Sequence, residues 1–114
     1  MSMYKLLSVD DEPINQAIVE ELFATTFDVS LASSGEECLK NIHDIQPDLI
    51  LLDVSMLGMD GYETCQALKK DTLTQHIPVI FVSARGTLED KIKAYEVGGY
   101  DYITKPFNHS ELEI

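Results

Sequence analysis

Apolar and amphipathic stretches alternate along the whole chain. The segments "YKLLSV" (4–9), "FDVSLA" (27–32), "DLILLD" (48–53), "IPVIFVS" (77–83) and "YDYIT" (100–104) are short, apolar and bounded by polar or turn-forming residues, which predicts five strands. Between them, apolar residues recur at helical spacing. Ile14, Ala17, Ile18 and Leu22 fall on one face, as do Cys38, Ile42 and Ile45, then Gly61, Cys65 and Leu68, then Leu88, Ile92 and Tyr95. Helix starts are marked as well. Pro13 suits a first helical position; Ser34 with Glu37 and Asp60 with Glu63 read as capping boxes, and Thr87 with Asp90 as a weaker variant. Gly98 and Gly99 can end the fourth helix, and Asn108 with Glu111 opens a fifth that the chain cuts short at Ile114.

This is a strand followed by a helix, five times over. Strands joined by helices run parallel, and parallel sheets are covered on both faces. The unbroken apolar runs at 49–52 and 79–82 suit central strands, whereas Asp28 and Ser30 alternate with apolar residues as an edge strand allows. The expected fold is therefore a doubly wound α/β sandwich, in which ligands sit beyond the carboxyl ends of the strands.

Length and charge narrow the picture. The 114 residues make one domain, spanning 1–114, with a single core. Lys plus Arg total 8 against 20 for Asp plus Glu, a net charge of −12, which argues against direct binding of nucleic acid because such binding rests on neutralising phosphates. No apolar run is long enough for a membrane span, and "MSMYKLLSVDDE" does not have the pattern of a signal peptide. Cys38 and Cys65 lack CxxC spacing and read as small buried hydrophobes of a reducing cytoplasm; His43, His76 and His109 are scattered and read as surface residues.

The carboxyl ends carry the candidate chemistry. Asp10 and Asp11 follow the first predicted strand, Asp53 the third, Ser83 the fourth and Lys105 the fifth. Taken singly, Asp11 is a helix cap, Ser83 a turn hydroxyl, Lys105 a surface charge and Tyr102 a strand tyrosine half packed on the fourth helix. Taken together they deliver three carboxylates, a hydroxyl and an ammonium to one rim. Clustered carboxylates raise one another's pKa unless a cation joins them, and an all-oxygen set with few protein groups suits Mg²⁺, with Mn²⁺ as a substitute. Beside such an ion a carboxylate can act as a nucleophile toward phosphorus.

At "VDDE", "LLDVSMLGMDG", "FVSA" and "GGYDYITKPF" the chain resembles the response-regulator receiver domains of two-component signalling, over essentially its whole length. The resemblance implies a five-stranded sheet in the order 2-1-3-4-5. It also implies Asp53 as phosphoacceptor and Asp10 and Asp11 as the magnesium pair, Asp11 more directly, with the backbone carbonyl of Ser55 as a further metal ligand. Ser83 matches the hydroxyl that moves to the phosphoryl group, Lys105 the ammonium that pairs with it, and Tyr102 the aromatic switch. Ser55 and Arg85 fall where the family tunes phosphoryl lifetime, and the bond before Pro106 matches a cis peptide. Implied partners are a histidine kinase or a histidine phosphotransfer protein, and a second copy through helix 4, strand 5 and helix 5. One departure stands out: the family often has Pro where this chain has Leu57, so the loop loses a fixed φ angle.

Two other readings remain at this level. A magnesium-dependent phosphohydrolase with an aspartyl nucleophile usually has a second Asp two positions later, and here that residue is Ser55. A receiver-like docking module often lacks one of the reactive groups, and this chain has them all. The short fifth helix suggests a piece of a longer regulator, whose effector would lie beyond residue 114.

Overall fold

All five apolar runs become strands in the computed structural model, which describes residues 3–105. β1 (Lys5–Val9), β2 (Asp28–Ala32), β3 (Leu49–Asp53), β4 (Val79–Ser83) and β5 (Asp101–Thr104) pair in parallel in the order β2-β1-β3-β4-β5. Four helices join them among the described residues: α1 (Pro13–Phe23), α2 (Gly35–Ile45), α3 (Gly61–Lys70) and α4 (Leu88–Glu96). The expected fifth helix and the bond before Pro106 lie outside the described residues. Every residue of β3 and β4 is buried, as a strand covered on both faces requires, while β2 at the edge is only partly covered.

Because side chains alternate across a strand, each strand feeds two cores. On one face Leu7, Ile50, Leu52 and Phe81 pack with Cys38 and Ile42 of α2, Cys65 and Leu68 of α3 and Ala94 of α4. On the other, Leu6, Leu51, Ile80 and Val82 pack with Val19 and Phe23 of α1. Both cysteines are fully buried and unpaired, and burial pushes their thiols up to about 12 for Cys38 and about 11 for Cys65, so they behave as hydrophobes.

Two helical faces differ from the sequence expectation. On α1 the buried stripe is Val19 and Phe23, whereas Ile14 is 74% exposed and Ile18 also faces solvent. The helix is turned this way by Gln16, whose side-chain amide donates to the backbone oxygens of Asp10 and Ala32, and by Phe23, which meets Phe27 edge to face. On α4 the buried residues are Asp90 and Ala94, and Leu88, Ile92 and Tyr95 point outward. Here a polar network draws Asp90 inward: its carboxylate accepts from the Thr87 hydroxyl and from Arg85, and its backbone oxygen accepts from the Tyr62 hydroxyl. In both cases specific hydrogen bonds outweigh one or two apolar side chains.

The helix caps follow the sequence closely. Asp60 and Glu63 form a full capping box. Ser34 caps α2, but Glu37 reaches back to the amide of Ser33 and not to that of Ser34, so this box is only half formed. Gly98, with φ of 101°, takes the left-handed conformation just beyond α4.

Candidate functional site

The carboxyl ends of β1, β3, β4 and β5 open on one rim, and the residues that follow them meet there. Asp10 directly follows β1 and is buried. Its amide donates to Ala32 O at 3.0 Å, continuing the β1–β2 ladder, and its Oδ1 accepts from the amide of Glu12 at 3.0 Å. Asp11 is half-buried, and its Oδ2 accepts from the backbone amide of Leu57 at 3.2 Å. Asp53 ends β3 and is buried. One carboxylate oxygen from each of Asp10, Asp11 and Asp53 lies within 4.8 Å of the others.

Lys105, at the end of β5, enters this group. Its Nζ lies 3.0 Å from Asp10 Oδ2 and 3.4 Å from Asp53 Oδ1. One ammonium therefore faces two of the three carboxylates. Burial pushes Asp53 up from 3.8 to about 6; the Lys105 charge pulls the other way, and the fields of Asp10 and Asp11 add to the rise. For Lys105, burial acts to lower the pKa, but the hydrogen bond to Asp10 and the field of Asp53 outweigh it and the net shift is upward.

Such a cluster fits a hard divalent cation. All its donors are carboxylate oxygens at ion-sharing distance, and the ammonium offsets only part of their charge. Asp10, Asp11 and Asp53 are the residues that would hold Mg²⁺, and Ser55 sits in the loop beside them with an exposed side chain.

Ser83 and Tyr102 stand one step back, and a residue between them joins the two. The buried Ser83 Oγ accepts from the backbone amide of Arg85 at 3.1 Å. Tyr102 is buried with its ring tilted against Phe81, and its hydroxyl donates to the carbonyl oxygen of the same Arg85. The Arg85 side chain in turn pairs with Asp90 Oδ1 at 3.1 Å. A cleft lined by Asp11, Ser55, Leu57, Arg85, Asp90 and Lys93 runs from the acidic rim to α4.

The sequence puts Asp10, Asp11, Asp53 and Lys105 at one rim, where the structure brings them together, but three supports were missed. Gln16 holds the carbonyls at the ends of β1 and β2, at 2.9 Å to Asp10 and 3.3 Å to Ala32. A polar pair, Asn15–Gln16, embedded between isoleucines was the available signal. The backbones of Arg85 and Leu57 gave none, since main-chain donors leave no trace in residue type. Of the histidines, His43 lies 2.9 Å from Asp71 and His76 is exposed; His109 lies outside the described residues.

Comparison with known proteins agrees with this geometry. Residues 6–114 match the family model described as "Response regulator receiver domain". The phosphate regulon transcriptional regulatory protein PhoB of Pseudomonas aeruginosa is 43% identical over 108 residues, covering 94% of this chain and 47% of that protein. The probable transcriptional regulator ycf27 of Guillardia theta is 41% identical over 110 residues, covering 96% of this chain and 42% of that protein. The chain thus spans less than half the length of either relative. Among solved structures, the chemotaxis protein CheY4 of Vibrio cholerae superposes with a TM-score of 0.92 at 28% identity, covering 97% of this chain and 93% of that one.

Proposed function

The chain belongs to the response regulator receiver domain family of two-component signalling, and from that premise we propose that it is a phosphorylation-driven switch with Asp53 as the phosphoacceptor. The observation that carries the reading is the meeting of Asp10, Asp11 and Asp53 within 4.8 Å, with Lys105 Nζ against two of them.

In this reading the donor is the phosphohistidine of a kinase or phosphotransfer protein, or a small acyl phosphate. With its acidity at about 6, Asp53 is mostly ionised at neutral pH. A carboxylate oxygen of Asp53 attacks phosphorus, the phosphorus–nitrogen bond breaks, and the imidazole leaves with the bonding pair and takes up a proton. Lys105 meets a phosphoryl oxygen as charge redistributes. Mg²⁺ held by Asp10, Asp11, Asp53 and the Ser55 carbonyl would supply charge neutralisation to the phosphoryl oxygens.

The new anion then competes for the Ser83 hydroxyl, which today accepts from Arg85. Its departure frees the Arg85 amide, and Arg85 is bonded to both Tyr102 and Asp90, so the change reaches β5 and the start of α4. The outward side chains Leu88, Ile92 and Tyr95 give α4 an apolar face through which a partner or second copy can read the state. PhoB and ycf27 are transcriptional regulators, and on that likeness the output is transcriptional and the setting cytoplasmic. Among the described residues no helix is long and apolar enough to cross a membrane.

The test is incubation with Mg²⁺ and acetyl phosphate followed by intact mass. One phosphoryl group is expected on the wild type and none on Asp53→Asn. Equal uptake by the variant would falsify the assignment, and steady turnover of free phosphate esters would favour a hydrolase.

A further inference from the structure

Position 57 acts through its backbone. The Leu57 side chain is 86% exposed, so it adds little to packing, yet its amide donates to Asp11 Oδ2 across the rim, 46 residues away in sequence. The neighbouring carboxylate is held differently: Asp10 receives the Glu12 amide on one oxygen and Lys105 on the other. Among the described residues the Leu57 amide is the hydrogen-bond partner that the Asp11 side chain has. Asp11 is also the most exposed of the three clustered carboxylates, hence the one with most rotamer freedom to lose.

The donor is itself braced. Two residues on, the amide of Met59 donates to Glu36 Oε2 at 3.3 Å. Between them Gly58 holds φ of 76°, and a Cβ added there would lie 2.8 Å from the same Glu36 oxygen. The loop after β3 is thus fastened on both sides of Gly58, to Asp11 before it and to Glu36 of α2 after it. A proline at 57 has no N–H to donate, so this contact exists because the chain has Leu there.

We propose that Leu57 is a positioning residue for the magnesium site, its amide fixing the carboxylate of Asp11 in the orientation that receives the ion. The proposal rests on the reading of the acidic rim as a magnesium site. Outer contacts of this kind orient a ligand before the ion arrives, and their loss typically weakens metal affinity by about 10- to 100-fold. The exposed setting places the effect here at the low end.

The experiment is calorimetric titration of the unphosphorylated protein with Mg²⁺, for the wild type, Leu57→Pro and Leu57→Ala. Leu57→Pro is expected to bind about tenfold more weakly, and Leu57→Ala, which keeps the amide, to match the wild type. Equal affinity of a folded Leu57→Pro protein, or an equal loss in Leu57→Ala, overturns the inference. A wild type that binds no Mg²⁺ overturns the reading of the rim instead. Should Leu57→Pro not fold, amide NMR of Asp11→Ala decides: the Leu57 resonance is expected to shift most within the 55–59 loop, and an unmoved Leu57 resonance sinks the proposal.

Discussion

Lys105 sits closer to Asp10 than to the proposed acceptor, at 3.0 Å against 3.4 Å from Asp53. The ammonium is therefore anchored by one carboxylate while it serves another, and it occupies charge-compensating space that a metal ion would share. Replacing it by Met keeps much of the stem and removes the charge. Two opposite effects are expected from Lys105→Met. Phosphoryl uptake from acetyl phosphate falls by roughly 10-fold or more, since a group facing the developing charge is gone. Mg²⁺ binding tightens by roughly 3- to 10-fold, because a like charge close by no longer repels the ion. Weaker Mg²⁺ binding by a folded variant would show that Lys105 organises the carboxylates more than it competes with the cation.

Asp53 should set the pH dependence of the metal-free fold. Its folded pKa is about 6 against 3.8 for an ordinary solvated carboxyl, so the folded state holds the proton more tightly. Stability from this group is then fully present below about pH 4 and is lost as pH rises through 6. By the pKa difference the loss amounts to roughly 3 kcal/mol at neutral pH. Asp53→Asn removes the burial cost of the charge, so at pH 7.5 without Mg²⁺ it should resist urea better than the wild type. The gap should narrow toward pH 4 and on addition of Mg²⁺ to the wild type. A variant less stable than the wild type at pH 7.5 without metal would contradict this.

What the sequence made legible divides along a physical line. Strands β3 and β4 are short continuous apolar runs, too short for a buried helix, as buried parallel strands are, and the residues after the strands inherit their place from the topology. Asp10, Asp53 and Lys105 were therefore placed at one rim from order alone. The faces of α1 and α4 were not legible. Periodicity ranks apolar positions, whereas Gln16 and Asp90 turn those helices through hydrogen bonds to distant backbone and side-chain groups. The link from Ser83 through Arg85 to Tyr102 was hidden for a related reason, since its central member contributes main-chain atoms.

Gly61 marks how tightly α3 closes on Asp53. Its amide donates to Val54 O at 2.9 Å, and a Cβ added there would stand 2.3 Å from the backbone oxygen of Asp53. Neither partner is a flexible side chain, so the helix start or the end of β3 has to shift. Gly61→Ala should destabilise by about 1–3 kcal/mol in urea unfolding, and displacement of Asp53 should also lower Mg²⁺ affinity. Wild-type stability and Mg²⁺ binding together in Gly61→Ala would show that the approach is looser than the backbone geometry implies.

Tyr102→Phe separates phosphoryl chemistry from its transmission. The ring packs on Phe81 and would still do so in the variant, so the core is kept; what goes is the bond from the hydroxyl to the Arg85 carbonyl, worth about 1 kcal/mol. Tyr102 makes no hydrogen bond to Asp10, Asp53 or Lys105 among the described contacts, so uptake from acetyl phosphate should stay within about twofold, well short of the effect of losing a group at the reacting charge. The segment 84–87 loses one of its ties, and hydrogen exchange there should speed several-fold. Because Arg85 also holds Asp90, the exchange change that phosphorylation induces at the start of α4 should shrink. Ser83→Ala, which removes the hydroxyl that accepts from the Arg85 amide, should blunt that same α4 response without freeing the Tyr102 contact. An unaltered α4 response in Tyr102→Phe would mean that the signal leaves the site by way of Ser83 and the Arg85 amide alone, with the tyrosine as packing.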